Sequence, residues 1–240
     1  MSWELGDVLT DAHRGRLIAA GADLEALGVA ELREITGPLP EWWRHNGNAL
    51  YATADLAVAG AVLERLCGYP FTDTLIAISS DAHNLASLLV GVGATVFIGP
   101  DVELTAGEIF CGDASNVILN GDTTATRSAV LDARNGGSIV AAADQLWAGN
   151  VYIATDDMHR LEDVRTGARV NPFGATIHIG PHVWLGRDAV VTGHVEIGEG
   201  SIVGARTMVR GQKVPPNTAV AGTPARVVRE DVTWREDDLP

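Results

Sequence analysis

The sequence predicts a mainly β protein in which short parallel strands coil into a three-sided solenoid, preceded by a partly helical segment and followed by a short tail. Three observations carry that expectation. Ile179, Leu185, Val191, Ile197, Val203 and Val209 recur at strict intervals of six. A glycine follows four of them, at Gly180, Gly186, Gly198 and Gly204. Four residues after each of the first five stands a small or β-branched residue: Val183, Ala189, Val195, Ser201, Thr207. Ordinary sandwich strands alternate with period two and break at irregular turns, so this pattern is not theirs. In a solenoid each hexad supplies one strand and one corner. The aliphatic side chain points to the axis, and glycine next to it tolerates corner backbone angles that a Cβ forbids. Three hexads make a coil of 18 residues, and coils stack at about 4.8 Å.

The pattern loosens upstream, as loop insertions would cause. Ala141, Trp147 and Ile153 keep the spacing, as do Ile98, Leu104 and Phe110, while Asn116–Leu119 and Val130–Ala133 keep the composition but not the register. The first strand expected is Leu75–Ile78, which places the solenoid over 74–222, a polar loop over 156–172 within it, and a tail over 223–240. Residues 1–73 read as mixed. Asp11–Ile35 has a broken helical spacing interrupted by Gly21 and Gly28, and Gly37-Pro38-Leu39-Pro40 marks a sharp break. Thr53–Leu66 reads as a helix with Thr53 as N-cap and Gly68 as stop. This segment is expected to cover the open first coil, whose core and strand edges are otherwise exposed.

Composition narrows the function. The 240 residues carry 31 acidic and 17 basic side chains, a formal charge of −14. That balance argues against nucleic acid or an acidic membrane as a general partner. Two cysteines, Cys67 and Cys111, make neither a disulfide framework nor a structural zinc site. The uncharged run between Asp81 and Asp101 contains His83, Asn84 and Ser87, which is wrong for a membrane span. The opening MSWELGDVLT lacks a basic region followed by an apolar one, so no signal peptide and a cytoplasmic location are expected.

Chemistry concentrates where the hexads stop. His159 lies in the polar stretch from Asp156 to Pro172. A loop projecting from a rigid scaffold is where function is usually placed, and imidazole can take up and return a proton near neutrality. A plain surface histidine is the alternative. A second signal is charge: Ser201 to Arg229 holds no acidic residue but contains Arg206, Arg210, Lys213, Arg226 and Arg229. A basic window in an acidic chain suggests an anionic ligand, and Arg grips phosphate in a bidentate fork. Pairing with acidic neighbours is the alternative.

The hexads from Ile179 to Val209, followed by Val214-Pro215-Pro216-Asn217 and Ala221-Gly222-Thr223-Pro224-Ala225-Arg226-Val227-Val228-Arg229-Glu230, resemble the left-handed β-helix, hexapeptide-repeat acyltransferases. Thr155-Asp156-Asp157-Met158-His159, Asp163, Thr166-Gly167, Val170-Asn171-Pro172 and His182-Val183-Trp184-Leu185-Gly186 resemble the sugar O-acetyltransferases of polysaccharide biosynthesis within that superfamily. The match covers roughly 128–234. The resemblance implies a cytoplasmic homotrimer with sites between subunits, acetyl-CoA as co-substrate, no metal, and a sugar or polysaccharide acceptor. It implies His159 as general base. Asp157 or Asp163 is a candidate to orient the imidazole, though a backbone carbonyl can serve. Trp184 is expected outward, as substrate surface or oligomer contact. The oxyanion donor is implied near Gly186–Arg187, with Gly204 and Ala205 beside the pantetheine arm and Arg210, Lys213, Arg226 and Arg229 near the phosphates. Arg210-Gly211-Gln212-Lys213 departs from the family's shorter Thr-Lys ending.

Other readings share the fold. A γ-class carbonic anhydrase needs two zinc histidines five residues apart, whereas His178 and His182 are four apart and His194 is distant. Serine acetyltransferase also has a helical N-terminal segment, but its histidine motifs differ from the loop around His159. Sugar N-acetyl transfer needs similar groups, and a non-catalytic scaffold or sugar-binding module is a further alternative.

Overall fold

A computed structural model describes residues 4–29, 31–53, 60–79 and 84–237. Its core is a three-faced prism. The first face stacks Ala49–Ala52, Leu75–Ile78, Thr95–Ile98, Asn116–Leu119, Ser138–Ala141, Thr176–Ile179, Val195–Ile197 and Lys213–Val214. The second stacks Val102–Leu104, Thr123–Ala125, Gln145–Trp147, Val183–Leu185, Ile202–Val203 and Ala219–Ala221, and Arg226–Arg229 closes it antiparallel. The third stacks Leu85–Val90, Gly107–Cys111, Ala129–Ala133, Val151–Ala154, Val190–Thr192 and Met208–Arg210. Strands pair in parallel with the strand one coil away: Ile177 lies opposite Val195, and Val191 opposite Val209. The chain is therefore a mainly β solenoid.

The six aliphatic hexad positions and the five residues placed four further on are all buried in this prism. The glycines are not there for the reason the sequence suggested. Gly180, Gly186, Gly198 and Gly204 do not adopt positive φ. What excludes a side chain is the next coil: a Cβ on Gly186 would stand 2.6 Å from the Ala205 amide nitrogen, and one on Gly180 would stand 2.9 Å from that of Glu199. The left-handed backbone falls two residues later, at His182, Asp188, Gly200 and Arg206.

Upstream, one position moves. Phe110 was expected inside, but Ile109 takes the core site and pairs with Leu131. Phe110 faces outward under the Arg134 guanidinium, 4.1 Å from the ring centroid. The register slips because the corner between Leu104 and the third face is one residue shorter there.

The N-terminal segment is richer in structure than its sequence suggested. Helices α1 (Asp11–Ala20) and α2 (Leu24–Val29) are separated by Gly21, which ends α1 at φ 112°. Their residues Leu17, Ala26 and Leu27 pack with Tyr51, Ala77, Phe97, Ile118 and Val140 on the outside of the first face. Arg16 fixes α1 to the coil through Asp73, Thr95 and the carbonyls of Gly93 and Ala94. Ile35 belongs to a strand, Arg33–Gly37, not to a helix. That strand and Glu4–Val8 extend the first face antiparallel beyond Ala49–Ala52, so the sheet starts before Leu75–Ile78. Trp43 of α3 (Glu41–His45), Val62, Leu63 and Leu66 of α4 (Gly60–Leu66), and Phe71 enter the solenoid core at its open end. The expected start of α4 after Thr53 lies outside the described residues. Among the described residues no helix is long and apolar enough to cross a membrane.

Candidate active site

The corner from the third face to the first is the long one in each upstream coil. Residues 112–115 and 134–137 form it, then 155–175, whereas the next coil needs only Gly193 and His194. The loop that carries His159 is thus an expansion of an existing corner and is seated on the one below. Thr155 Oγ1 accepts from the Arg134 amide at 2.9 Å, and Asn135 Nδ2 donates to Asp156 at 2.6 Å. The Asp156 carboxylate is fully buried and faces Arg169, at 3.4 Å, on the returning strand. Arg169 also donates to the Asn171 and Pro172 carbonyls and lies over Phe173. Within the loop, 161–163 and 168–170 run antiparallel.

His159 is exposed, and its ring has no partner among the described residues. Its backbone, by contrast, is held. The amide donates to the Asp157 carbonyl at 2.8 Å, and the carbonyl accepts from Asn171 Nδ2 at 2.8 Å. Met158 before it stands at φ 65°, a costly conformation for a long side chain.

Neither candidate carboxylate reaches the imidazole in this chain. Asp157 accepts from Arg210 at 2.8 Å, across the cleft between the loop and the third face. Asp163 turns the loop tip: its Oδ1 accepts from the amides of Arg165 and Thr166 and from the Thr166 hydroxyl. Those Thr166 hydrogen bonds hold its carboxyl below the usual range.

The coenzyme candidates sort by what they already bond. The Gly186 amide donates to the Val203 carbonyl and the Gly204 amide to the Val220 carbonyl, so both are spent on the ladder. The amides of Arg187 and Ala205, one residue further round the same corner, have no acceptor among the described residues. Of the implied oxyanion pair, only Arg187 has a free N–H. Arg206 pairs with Asp188, Arg210 with Asp157 and Lys213 with Glu196. Arg226 and Arg229 face no carboxylate among the described residues, on an exposed strand. Part of the basic window is therefore neutralised within the chain. Trp184 projects outward from the second face between Leu146 and Ile202.

His178 is exposed on the first face, and His194 Nδ1 accepts from the Thr176 amide. His182, which the sequence singled out only by motif and spacing, is tied to the coil below and to the tail. Nδ1 meets Asp144 at 2.7 Å, Nε2 meets the Trp234 carbonyl at 3.0 Å, and the ring stacks on the Trp234 indole at 4.2 Å. Burial works against its charge, but the bonds to Trp234 and Asp144 outweigh it and raise its pKa. Both nitrogens are occupied, which removes it as a zinc ligand.

Nothing in the sequence assigned a role to Asp156, Arg169 or Asn171, although Asp156 and Asn171 fall within quoted motifs. A polar residue in a polar loop gives no sign of which end of the molecule it bonds.

Residues 176–211 match the family described as "Bacterial transferase hexapeptide (six repeats)". The matched residues are those with the strict hexads, and the parallel stacked coils of the prism are consistent with a left-handed β-helix of hexapeptide repeats. Among relatives, WbbJ of Escherichia coli K12, named as a lipopolysaccharide biosynthesis O-acetyl transferase, is 35% identical over 101 residues, 39% of this chain and 50% of that one. The galactoside O-acetyltransferase of the same strain is 35% identical over 85 residues, 35% of this chain and 40% of that one. The chain thus spans half or less of the length of these relatives. The crystal structure of the polySia-specific acetyltransferase NeuO superposes with a TM-score of 0.60 at 22% identity, over 71% of this chain and 78% of that one, which shows a shared fold.

Proposed function

We propose that this protein is an acetyl-CoA-dependent O-acetyltransferase that acts on a hydroxyl of a sugar or polysaccharide unit in the cytoplasm. The observation that carries the reading is the unpartnered, exposed imidazole of His159 on a backbone held from both sides. The similarity to WbbJ and to the galactoside O-acetyltransferase of Escherichia coli supports the acceptor class.

In direct transfer, the neutral His159 imidazole takes the hydroxyl proton as the oxygen attacks the thioester carbonyl. The carbonyl oxygen gains charge, which the free Arg187 amide is suited to accept. The C–S bond then breaks, the thiolate leaves, and the imidazolium returns its proton to sulfur. Arg226, whose Nη1 donates to the Ala225 carbonyl, and Arg229 are the cations of the basic window that face no carboxylate among the described residues, and they are suited to meet coenzyme phosphates, with Ala205 N–H toward the pantetheine arm. In one chain the His159 loop leaves the third–first corner, while the amides of Arg187 and Ala205 stand at the second–third corner, about 10 Å away across one short strand. A cyclic homotrimer that sets one chain's loop against the next chain's corner joins the two halves. Trp184 on the second face is then acceptor or subunit surface.

The test is thiol release from acetyl-CoA with a panel of galactosides and sialic acid oligomers, alongside calorimetric acetyl-CoA binding. His159→Ala is expected to lose about 10²–10⁴-fold in turnover and to keep its acetyl-CoA affinity. Turnover undiminished in that variant, or no acetyl-CoA binding by the parent protein, overturns the reading.

A further inference from the structure

We infer that Asn171 is the positioning residue for His159. The inference rests on the reading of His159 as the base. Asn171 is buried in a loop whose other residues are mostly exposed, and both ends of its carboxamide are spent on one short stretch of backbone. Its Nδ2 donates to the His159 carbonyl at 2.8 Å, and its Oδ1 accepts from the Leu161 amide at 3.0 Å. The side chain so acts as a peptide group, extending the ladder that Val170 N–H begins on the Leu161 carbonyl. That ladder alone ends at Leu161. Without the carboxamide, nothing among the described residues on the returning strand bonds the backbone of 159.

The base of this clamp is fixed independently. Arg169 ties the returning strand to the buried Asp156, and Asn135 ties Asp156 to the coil below. Asn171 therefore transmits the position of the rigid prism to the residue whose ring is free. It also holds the chain just after Met158, whose positive φ turns the backbone into His159. Asn171 does not contact the imidazole. Its effect is on where the ring stands, not on when the ring titrates.

Three variants separate the possibilities. Asn171→Ala removes both bonds. Asn171→Asp keeps an acceptor for Leu161 N–H but sets a carboxylate oxygen against the His159 carbonyl, and so removes the link to His159 alone. His159→Ala is the reference for the base itself. The readouts are kcat, KM for acetyl-CoA, the pH profile of kcat/KM, melting temperature and amide exchange over 158–163. Both Asn171 variants are expected to lower kcat about 10- to 100-fold, as an ångström-scale misplacement does. KM for acetyl-CoA should stay within about twofold, the limb of the pH profile should keep its position, and melting should be little changed. Exchange at Leu161 N–H should quicken in Asn171→Ala and stay slow in Asn171→Asp. Full activity in Asn171→Asp overturns the inference, as does unchanged exchange at Leu161 in Asn171→Ala. A fall in kcat matched by a weaker acetyl-CoA KM and a broad loss of melting temperature also overturns it, because Asn171 then only holds the fold. If His159→Ala is fully active, the base reading has failed, whatever the Asn171 variants do.

Discussion

Trp234→Ala tests how the far end of the C-terminal tail is held to the solenoid, beyond the Arg226–Arg229 strand and beside the bond from the Val232 amide to the Asn217 carbonyl. The indole stacks on His182 at 4.2 Å with planes 8° apart, and its Nε1 donates to the His182 carbonyl at 2.9 Å. Removing it deletes one aromatic pair and one hydrogen bond, each about 1 kcal/mol. A loss of about 2 kcal/mol in local opening free energy quickens exchange through that opening about thirtyfold. The assay is amide exchange with mass spectrometric readout on peptides covering 231–237, compared with the coil strand 195–197. The tail should respond and the coil should not. Charge adds a pH dependence. Two acceptors, the Asp144 carboxylate and the Trp234 carbonyl, are both served only by imidazolium, while Glu199 nearby also favours the cation. Because the folded-state pKa is raised, this stabilisation is complete below the ordinary imidazole value of about 6.5. It is lost as pH climbs through the raised folded value. After correction for intrinsic exchange, tail protection in the parent protein should therefore fall with rising pH, and His182→Ala should flatten the trend. Equal protection in Trp234→Ala and parent, or a tail that tightens with pH, refutes the reasoning.

Three further outcomes follow from the geometry. Gly198→Ala places a Cβ against the backbone of Pro215 and Pro216 and should cost about 1–3 kcal/mol in a chemical melt, whereas Gly15→Ala, with open space in α1, should gain about 0.5–1 kcal/mol. Arg226→Ala should weaken acetyl-CoA binding about tenfold by calorimetry with kcat preserved, while Lys213→Ala, whose charge is met by Glu196, should change it little. Arg169→Ala leaves the buried Asp156 carboxylate with the Asn135 amide but without its cation, so trypsin should cut at Arg160 or Arg165 faster than in the parent, as read by gel and mass spectrometry.

The candidate site was legible in part. His159 stood out because a titratable side chain interrupts a strict repeat, and Arg226 and Arg229 because a basic run is visible in one dimension. The pairing of Arg210 with Asp157 was not legible, since the two are far apart in sequence and meet only because the third face stacks Ala154, Thr192 and Arg210 in register. The partners of His182 were hidden for the same reason: they come from one coil below and from the tail. Phe110 shows the limit of periodicity, because a one-residue change in a corner moves the core position to Ile109 without altering composition.

By itself the sequence determined the solenoid. A period of six fixes which side chain faces the axis on every turn, and that is a local property repeated until it becomes a fold. The polar stretch at 156–172 is visible there too, and in the structure the strands on either side end at Ala154 and resume at Thr176. The tertiary structure decided what each corner is for. The glycines after the hexad residues serve the contact between coils rather than the turn, because stacking at about 4.8 Å leaves no room for a Cβ. Only that stacking spends the Gly186 and Gly204 amides and leaves those of Arg187 and Ala205 free. The fold also places Asn171 opposite His159, a contact between residues twelve apart that no spacing rule encodes.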